Sequence, residues 1–142
     1  MIVLDANILL YAYDSASSKH AKARALVQEV FSQASPVGLP WQTIGAFLRV
    51  MTNTRLPGER FRPEEAAQIV DNWLEQPNVR LLTPGDDHWM LLRRMVVEGQ
   101  APGALVSDAQ IAALTLEYGG TLYTTDRDFA RFPGLRWKNP LE

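Results

Sequence analysis

Apolar residues in this chain come in two patterns. Ile2, Val3 and Leu4 form a run that is apolar on both faces and ends in Asp5, which suits a strand buried at the centre of a parallel sheet. Val79 to Leu82 reads as a second interior strand, Thr121 to Thr124 as another short one, and Leu135 to Trp137 as an edge strand. Pro36 to Pro40 brackets a brief extended piece. The stretches between carry apolar residues at helical spacing. A short helix is predicted from Ala6, and a longer one over Ser18 to Gln33 through Ala25, Leu26, Val30 and Phe31. From Trp41 to about Asn53, Ile44, Phe47, Leu48 and Met51 follow the i, i+3, i+4, i+7 pattern of one apolar helix face. Thr54 to Arg62, with Pro57 and Gly58, reads as a loop. Pro63 then opens a helix that buries Ile69, Val70, Trp73 and Leu74. A further helix runs through Trp89, Leu92, Met95 and Val96 until Gly99 and Gly103 break it. The last starts at Ser107, where Ser107 and Gln110 have capping-box spacing, and stops at Gly119 and Gly120. Strands alternating with helices predict right-handed crossovers and an α/β fold whose parallel sheet is covered on both faces. With no repeat, low-complexity tract or linker, residues 1–142 read as one domain.

Charge and composition narrow the chemistry. Fourteen Lys and Arg against 16 Asp and Glu give a net charge of -2, which excludes a protein that coats nucleic acid by bulk attraction. Any such contact must be local. Arg49, Arg55, Arg60 and Arg62 lie in one short stretch, and a solvated face is the better reading of it than a phosphate site. Cysteine is absent, which removes disulfides, thiolate metal sites and cysteine nucleophiles. His20 and His88 are far apart, form no zinc-binding pair, and are expected at the surface. No segment has the length of a membrane span or the make-up of a secretion signal, so a soluble cytoplasmic protein is expected.

Ligands of open parallel sheets bind beyond the carboxyl ends of the strands, where strand order reverses. Asp5 ends the first strand and Asp126 follows the strand at Thr121. If those strands are neighbours, both carboxylates overhang one edge. Asp108 has Ile111, Ala112 and Thr115 as its i+3, i+4 and i+7 neighbours, so it points along a mostly inward helix face. Singly, each is explained as a turn, cap or first-turn acid. Together they repel: two carboxylates about 5 Å apart cost roughly 3 kcal/mol at an effective dielectric of 20. A bound cation reverses that cost, and an all-oxygen cluster suits Mg²⁺ or Mn²⁺. The implied reaction is phosphodiester hydrolysis by an activated water, with no protein nucleophile. Asn7 and Thr124, neutral residues at the same strand ends, suit either a metal water or phosphate oxygen, or ordinary turn chemistry.

The segments MIVLDANILLYA, VSDAQIAAL and GGTLYTTDRDFARFPGLRW, in that order and spacing, resemble PIN domains of VapC-type toxins over nearly the whole chain. The resemblance implies a three-layer α/β/α fold. It also implies a metal-dependent endoribonuclease that cleaves structured cellular RNA, is held inactive by a small cognate antitoxin, and forms a homodimer. By position, Asp5, Asp108 and Asp126 match the family's acids, and Asn7 and Thr124 its polar residues. One departure is that Ala46, in WQTIGAFLRV, stands where PIN domains carry a glutamate; Asp128 either compensates or is a first-turn acid. That vacancy supports the alternative of a PIN-like module that grips RNA or protein without cutting. A phosphatase of the haloacid-dehalogenase type needs an acid where Asn7 stands, and a receiver domain needs a late lysine in a context that Lys138 lacks.

Overall fold

The computed structural model describes residues 1–142. Its elements run β1 (Ile2–Leu4), α1 (Ala6–Tyr13), α2 (His20–Ser32), β2 (Val37–Pro40), α3 (Trp41–Met51), α4 (Pro63–Leu74), β3 (Val79–Leu82), α5 (His88–Glu98), α6 (Leu105–Glu117), β4 (Thr121–Tyr123), a 3-10 helix (Arg127–Arg131) and β5 (Trp137–Lys138). The strands form one sheet in the order β3-β2-β1-β4-β5, and every pairing is parallel. The chain therefore winds outward from β1 through β2 to β3, then returns to the other side of β1 for β4. Strand order reverses between β1 and β4.

Alternation along the strands divides the core in two. Leu4, Val37, Leu39 and Val79 point into a cluster with Ile8, Leu9, Val27, Phe47, Val70 and Trp73 from α1 to α4. Val3, Leu82 and Leu122 point the other way, into a cluster with Met95 of α5, Ala109, Ala112 and Ala113 of α6, and Phe129 and Phe132. Two helical layers sandwich the sheet, which makes the fold a three-layer α/β/α. In the first layer the rings of Phe47 and Trp73 meet edge to face with centroids 4.6 Å apart, and Trp73 Nε1 donates to Tyr13 Oη at 2.9 Å. The indole polar group is thereby satisfied inside an apolar cluster.

Local differences from the sequence reading have identifiable causes. Helix α6 starts at Leu105 with Ala104 as its N-cap, so Ser107 sits within the first turn and the Ser107–Gln110 capping box does not form. A turn made by Pro102 and Gly103 supplies the first bonds instead, Leu105 N–H to Pro102 O and Val106 N–H to Gly103 O. Gly103, at φ +57, adopts the left-handed conformation that this turn needs. The edge strand is Trp137–Lys138 rather than Leu135 to Trp137, because its register follows β4, with Leu122 opposite Trp137 and Tyr123 opposite Lys138. Both histidines are half-buried rather than fully exposed. His20 Nδ1–H donates to Tyr11 O at 3.0 Å, and the His88 side chain is only 14% exposed, with Nδ1 3.7 Å from Glu117 Oε1. In the arginine stretch, Arg60 turns inward beside Asp14 and Arg62 pairs with Glu64 and Glu65, which leaves Arg49 and Arg55 without acidic partners.

Candidate active site

Every strand is parallel, so all carboxyl ends lie on one edge, and the gap between β1 and β4 opens there. Asp5 is the first residue beyond β1 and Thr124 the first beyond β4, brought side by side by the register Leu4 to Tyr123. Asp5 caps α1, its Oδ1 accepting from Ala6 N–H at 2.8 Å, and is 8% exposed. Its Oδ2 accepts from Thr124 Oγ1 at 2.7 Å. The Thr124 hydroxyl also accepts from Asp126 N–H at 3.0 Å and from Asn7 Nδ2 at 3.4 Å. One donor and two acceptor sites are all that a hydroxyl has, so Thr124 is fully engaged inside the protein. Asn7 closes the ring, its Oδ1 facing Thr125 N–H at 3.5 Å.

Asp126 caps the 3-10 helix through Asp128 N–H to Asp126 Oδ1, 2.9 Å, which leaves Oδ2 for other chemistry. Asp108 lies in the first turn of α6, half-buried, and α6 packs Ala109, Ile111, Ala112 and Ala113 into the core beneath it. Thus each aspartate does occupy the cap or first-turn position that a purely structural role would give it. Their mutual influence goes beyond that role. Burial pushes the Asp108 carboxyl up to about 6, reinforced by the negative charges of Asp5, Asp126 and Asp128 and opposed by Arg131. Burial also raises Asp5 above the ordinary carboxylate range, against the lowering effect of Thr124 and Ala6, with the charge of Asp126 adding to the rise. Carboxylates on three separate chain segments therefore act on each other's ionisation. None of the six ion pairs in the molecule involves Asp5, Asp108, Asp126 or Asp128.

Two residues that the sequence reading did not single out shape this edge. Thr43, wholly buried in the first turn of α3, donates to Leu4 O at 2.8 Å and so ties α3 to the strand end that presents Asp5. Its signal was a hydroxyl three residues after Pro40, ambiguous with an ordinary helix start. Although α3 and α6 belong to opposite layers, they touch. Ala46, half-buried, follows Thr43 by one turn. Arg131 is the other residue: its Nη1 donates to Gln100 O at 2.7 Å and Gly99 O at 3.2 Å, joining the 3-10 helix to the end of α5. The aspartates do not lie in an enclosed cavity. A cavity of about 430 Å³ is formed elsewhere, by α1, α2 and the loop before α4, and is lined by Tyr13, His20, Arg24, Glu59 and Phe61 among others.

Comparison with known proteins agrees with this architecture. The profile of the PIN domain matches residues 2–135. Ribonuclease VapC43 of Mycobacterium tuberculosis is 39% identical over 142 residues, covering 100% of this chain and 97% of its own length. Ribonuclease VapC33 of the same organism is 35% identical, covering 99% of each chain. Among solved structures, VapBC-1 from nontypeable Haemophilus influenzae superposes with a TM-score of 0.70 at 17% identity over 100% of both chains. VapC20 of M. tuberculosis, described as a sarcin-ricin loop cleaving toxin, superposes with a TM-score of 0.69 at 19% identity, covering 96% of this chain and 99% of its own.

Proposed function

The chain belongs to the PIN-domain family, with VapC ribonucleases as full-length relatives, and from that premise we propose that it is a metal-dependent endoribonuclease, the toxin of a toxin-antitoxin pair. The observation that carries the reading is that Asp5, Asp108 and Asp126, from three chain segments around the β1–β4 switch point, act on each other's ionisation with no cationic side chain paired to any of them. A fold keeps such mutual repulsion where a ligand relieves it.

The donor set fits a hard divalent ion in kind, since it is all carboxylate and hydroxyl oxygen. The side chains stand wider than a coordination sphere, because no three of them gather closely enough to hold an ion as they are. In the proposed site Asp5, Asp108 and Asp126 would hold Mg²⁺, or Mn²⁺ in its place. Bound there, the ion would supply Lewis acidity, activating the attacking water and neutralising charge at the scissile phosphate. The chain's own residues do the rest. Thr124 and the Ala6 N–H fix both oxygens of Asp5, so its lone pairs face the edge in one orientation. Asn7 and Thr124 brace the two strand ends against each other, and Asp128 N–H orients Asp126. Asp128 itself would add negative charge at the rim.

The substrate is RNA and the partner a small antitoxin protein, in line with the names of the full-length relatives and the VapBC complexes. No helix is long and apolar enough to cross a membrane. A cytoplasmic homodimer completes the proposal. The test is to incubate purified protein with host total RNA in Mg²⁺ or Mn²⁺, with and without excess chelator, and to map new ends. Cleavage should need the metal and vanish in Asp5→Asn, which keeps the shape of the side chain and loses its charge. Cleavage undiminished by chelator would sink the metal site. Binding of RNA with no cleavage under any metal would favour the non-cutting module that the vacancy at Ala46 suggests.

A further inference from the structure

We propose that Arg131 is a phosphate-binding residue of the acidic edge, gripping one backbone phosphate of the RNA beside the carboxylates; this rests on the endoribonuclease reading above. Arg131 ends the 3-10 helix that Asp126 caps, and Phe129 and Phe132 anchor that helix in the core with their rings 5.9 Å apart. Its Nη1 spends its hydrogens on Gln100 O and Gly99 O. Those carbonyls lie at the C-terminal end of α5, where the helix dipole favours a cation. From there the chain passes through Pro102 and Gly103 into α6, which carries Asp108 three residues past its start. The guanidinium therefore bridges the segment that bears Asp126 and the segment that leads to Asp108.

A free arginine beside several aspartates would ordinarily close an ion pair and occupy the oxygens that a metal needs. Arg131 does not, since no carboxylate lies within ion-pair distance of it. It nevertheless sits at the far end of the short 3-10 helix that Asp126 caps. Of five guanidinium N–H donors, the three on Nε and Nη2 make no hydrogen bond within the protein. The residue is exposed. It is thus a positive charge held in place by backbone, kept off the carboxylates, with a free planar fork of the kind that matches phosphate. A polyanion approaching three aspartates in a chain of net charge -2 needs such a cation at the edge, because bulk attraction does not supply it.

The competing role is purely structural. Gln100 is the one non-glycine residue at positive φ, 47°, and Arg131 could simply hold that turn. Arg131→Gln separates the roles, because the amide can still donate to a carbonyl while the charge is gone; Arg131→Gln combined with Gln100→Gly relaxes the turn as well. The probe is a short RNA hairpin that the wild type cleaves, with binding measured by fluorescence anisotropy in Ca²⁺ over a range of KCl, and cleavage in Mg²⁺. Expected are a tenfold or greater loss in kcat/KM in Arg131→Gln and a salt dependence of log K that is shallower by about 0.7–0.9, the signature of one lost phosphate contact. Both should persist in the Gln100→Gly background. An unchanged salt slope, or full recovery of cleavage on adding Gln100→Gly, overturns the proposal and leaves Arg131 as a staple. Failure of the wild type to cut any RNA would overturn the endoribonuclease reading and this one together, whereas an unchanged slope in a variant series that still cuts overturns this one alone.

Discussion

Thr124 Oγ1 lies 2.7 Å from Asp5 Oδ2, a hydrogen bond between residues 119 positions apart that joins the ends of β1 and β4 across the point where strand order reverses. Because the hydroxyl also receives Asp126 N–H and Asn7 Nδ2, it fixes two of the three aspartates through one atom. Thr124→Val keeps the volume and removes all three bonds. Leaving those partners unsatisfied in a wholly buried place should cost about 1–3 kcal/mol of stability. RNA cleavage should fall more than tenfold, while Thr124→Ser should stay within a few-fold of wild type. Urea denaturation and a hairpin cleavage assay measure the two effects. Wild-type cleavage in Thr124→Val would mean that Asp5 is oriented by something else.

Burial of Asp108, reinforced by its acidic neighbours, predicts a trade of stability against activity. Its carboxyl, raised from 3.8 to about 6, binds more protons folded than unfolded. The stability this contributes is complete below about 3.8 and is lost as pH rises through about 6, so at pH 8 the ionised side chain opposes folding. At face value the displacement corresponds to about 3 kcal/mol, and water around the half-exposed group reduces this to about 1 kcal/mol. Asp108→Asn should therefore raise Tm by about 2–4 °C at pH 8 and have little effect near pH 4, while abolishing cleavage. Mg²⁺ should raise Tm of the wild type at pH 8 and leave the variant unmoved. A variant that gains nothing at pH 8 would show that burial and the neighbouring charges do not disfavour the ionised side chain.

How far the sequence carried these conclusions depended on the range of each signal. Buried strands and amphipathic helices write themselves locally, which is why Ile2 to Leu4, Val79 to Leu82 and the helix from Pro63 were legible to within a residue or two. A parallel sheet covered on both faces followed from the alternation of strands and helices, and the carboxylate chemistry from strand ends and mutual repulsion, whereas the toxin activity, the antitoxin and the homodimer came only from the resemblance of three segments. Whether Asp5 and Asp126 share an edge was conditional on β1 and β4 being neighbours, a pairing across about 120 residues that periodicity does not encode; the register Leu4 to Tyr123 supplies it. Capping at α6 was misread because Ser107 and Gln110 match a local motif that competes with the turn at Pro102 and Gly103, and the turn wins two residues earlier. The histidines were misplaced because a polar residue type says little about burial when a carbonyl such as Tyr11 O waits nearby. Thr43 offered only an ambiguous hydroxyl at a helix start and Arg131 no signal, since both act through backbone carbonyls, which no side-chain pattern reveals.

The antitoxin relation makes a cellular prediction. Uncontrolled RNA cleavage is toxic, so expression of this chain alone should arrest growth, and Asp5→Asn should not. A small co-expressed partner should relieve the arrest by placing a basic side chain, most effectively Arg, against Asp5, Asp108 and Asp126, since a guanidinium can bridge two carboxylates. Pull-down from the native host should recover it, and changing that Arg to Ala in the partner should restore toxicity. Growth unaffected by expression, with the chain recovered alone each time, would count against the toxin reading.

Ala46 sets the last prediction, because it stands one turn beyond Thr43 on the helix that touches α6, at the position where the resemblance to PIN domains implies a glutamate. A site with one carboxylate fewer should bind Mg²⁺ weakly on its own and complete its ligand set with an RNA phosphate. Metal and RNA would then bind with positive coupling, each tightening the other by the same factor. Ala46→Glu should strengthen metal binding without RNA by about tenfold, near the 1–2 kcal/mol that one added carboxylate at an effective dielectric of 20 supplies after its own desolvation. It should also lower the Mg²⁺ needed for half-maximal cleavage. Asp128, whose charge already reaches Asp108, tests whether a neighbour has taken over the missing role. If it has, Asp128→Asn should raise the Mg²⁺ requirement in the parent and matter less beside Ala46→Glu. Calorimetric titration of Mg²⁺ into the parent, the two single variants and the double variant closes a double-mutant cycle, and a coupling energy near zero would mean that the two positions act independently. Should Ala46→Glu fold normally and leave both metal affinity and the Mg²⁺ requirement unchanged, Ala46 does not face the carboxylates, and weak metal binding by the parent would need another cause.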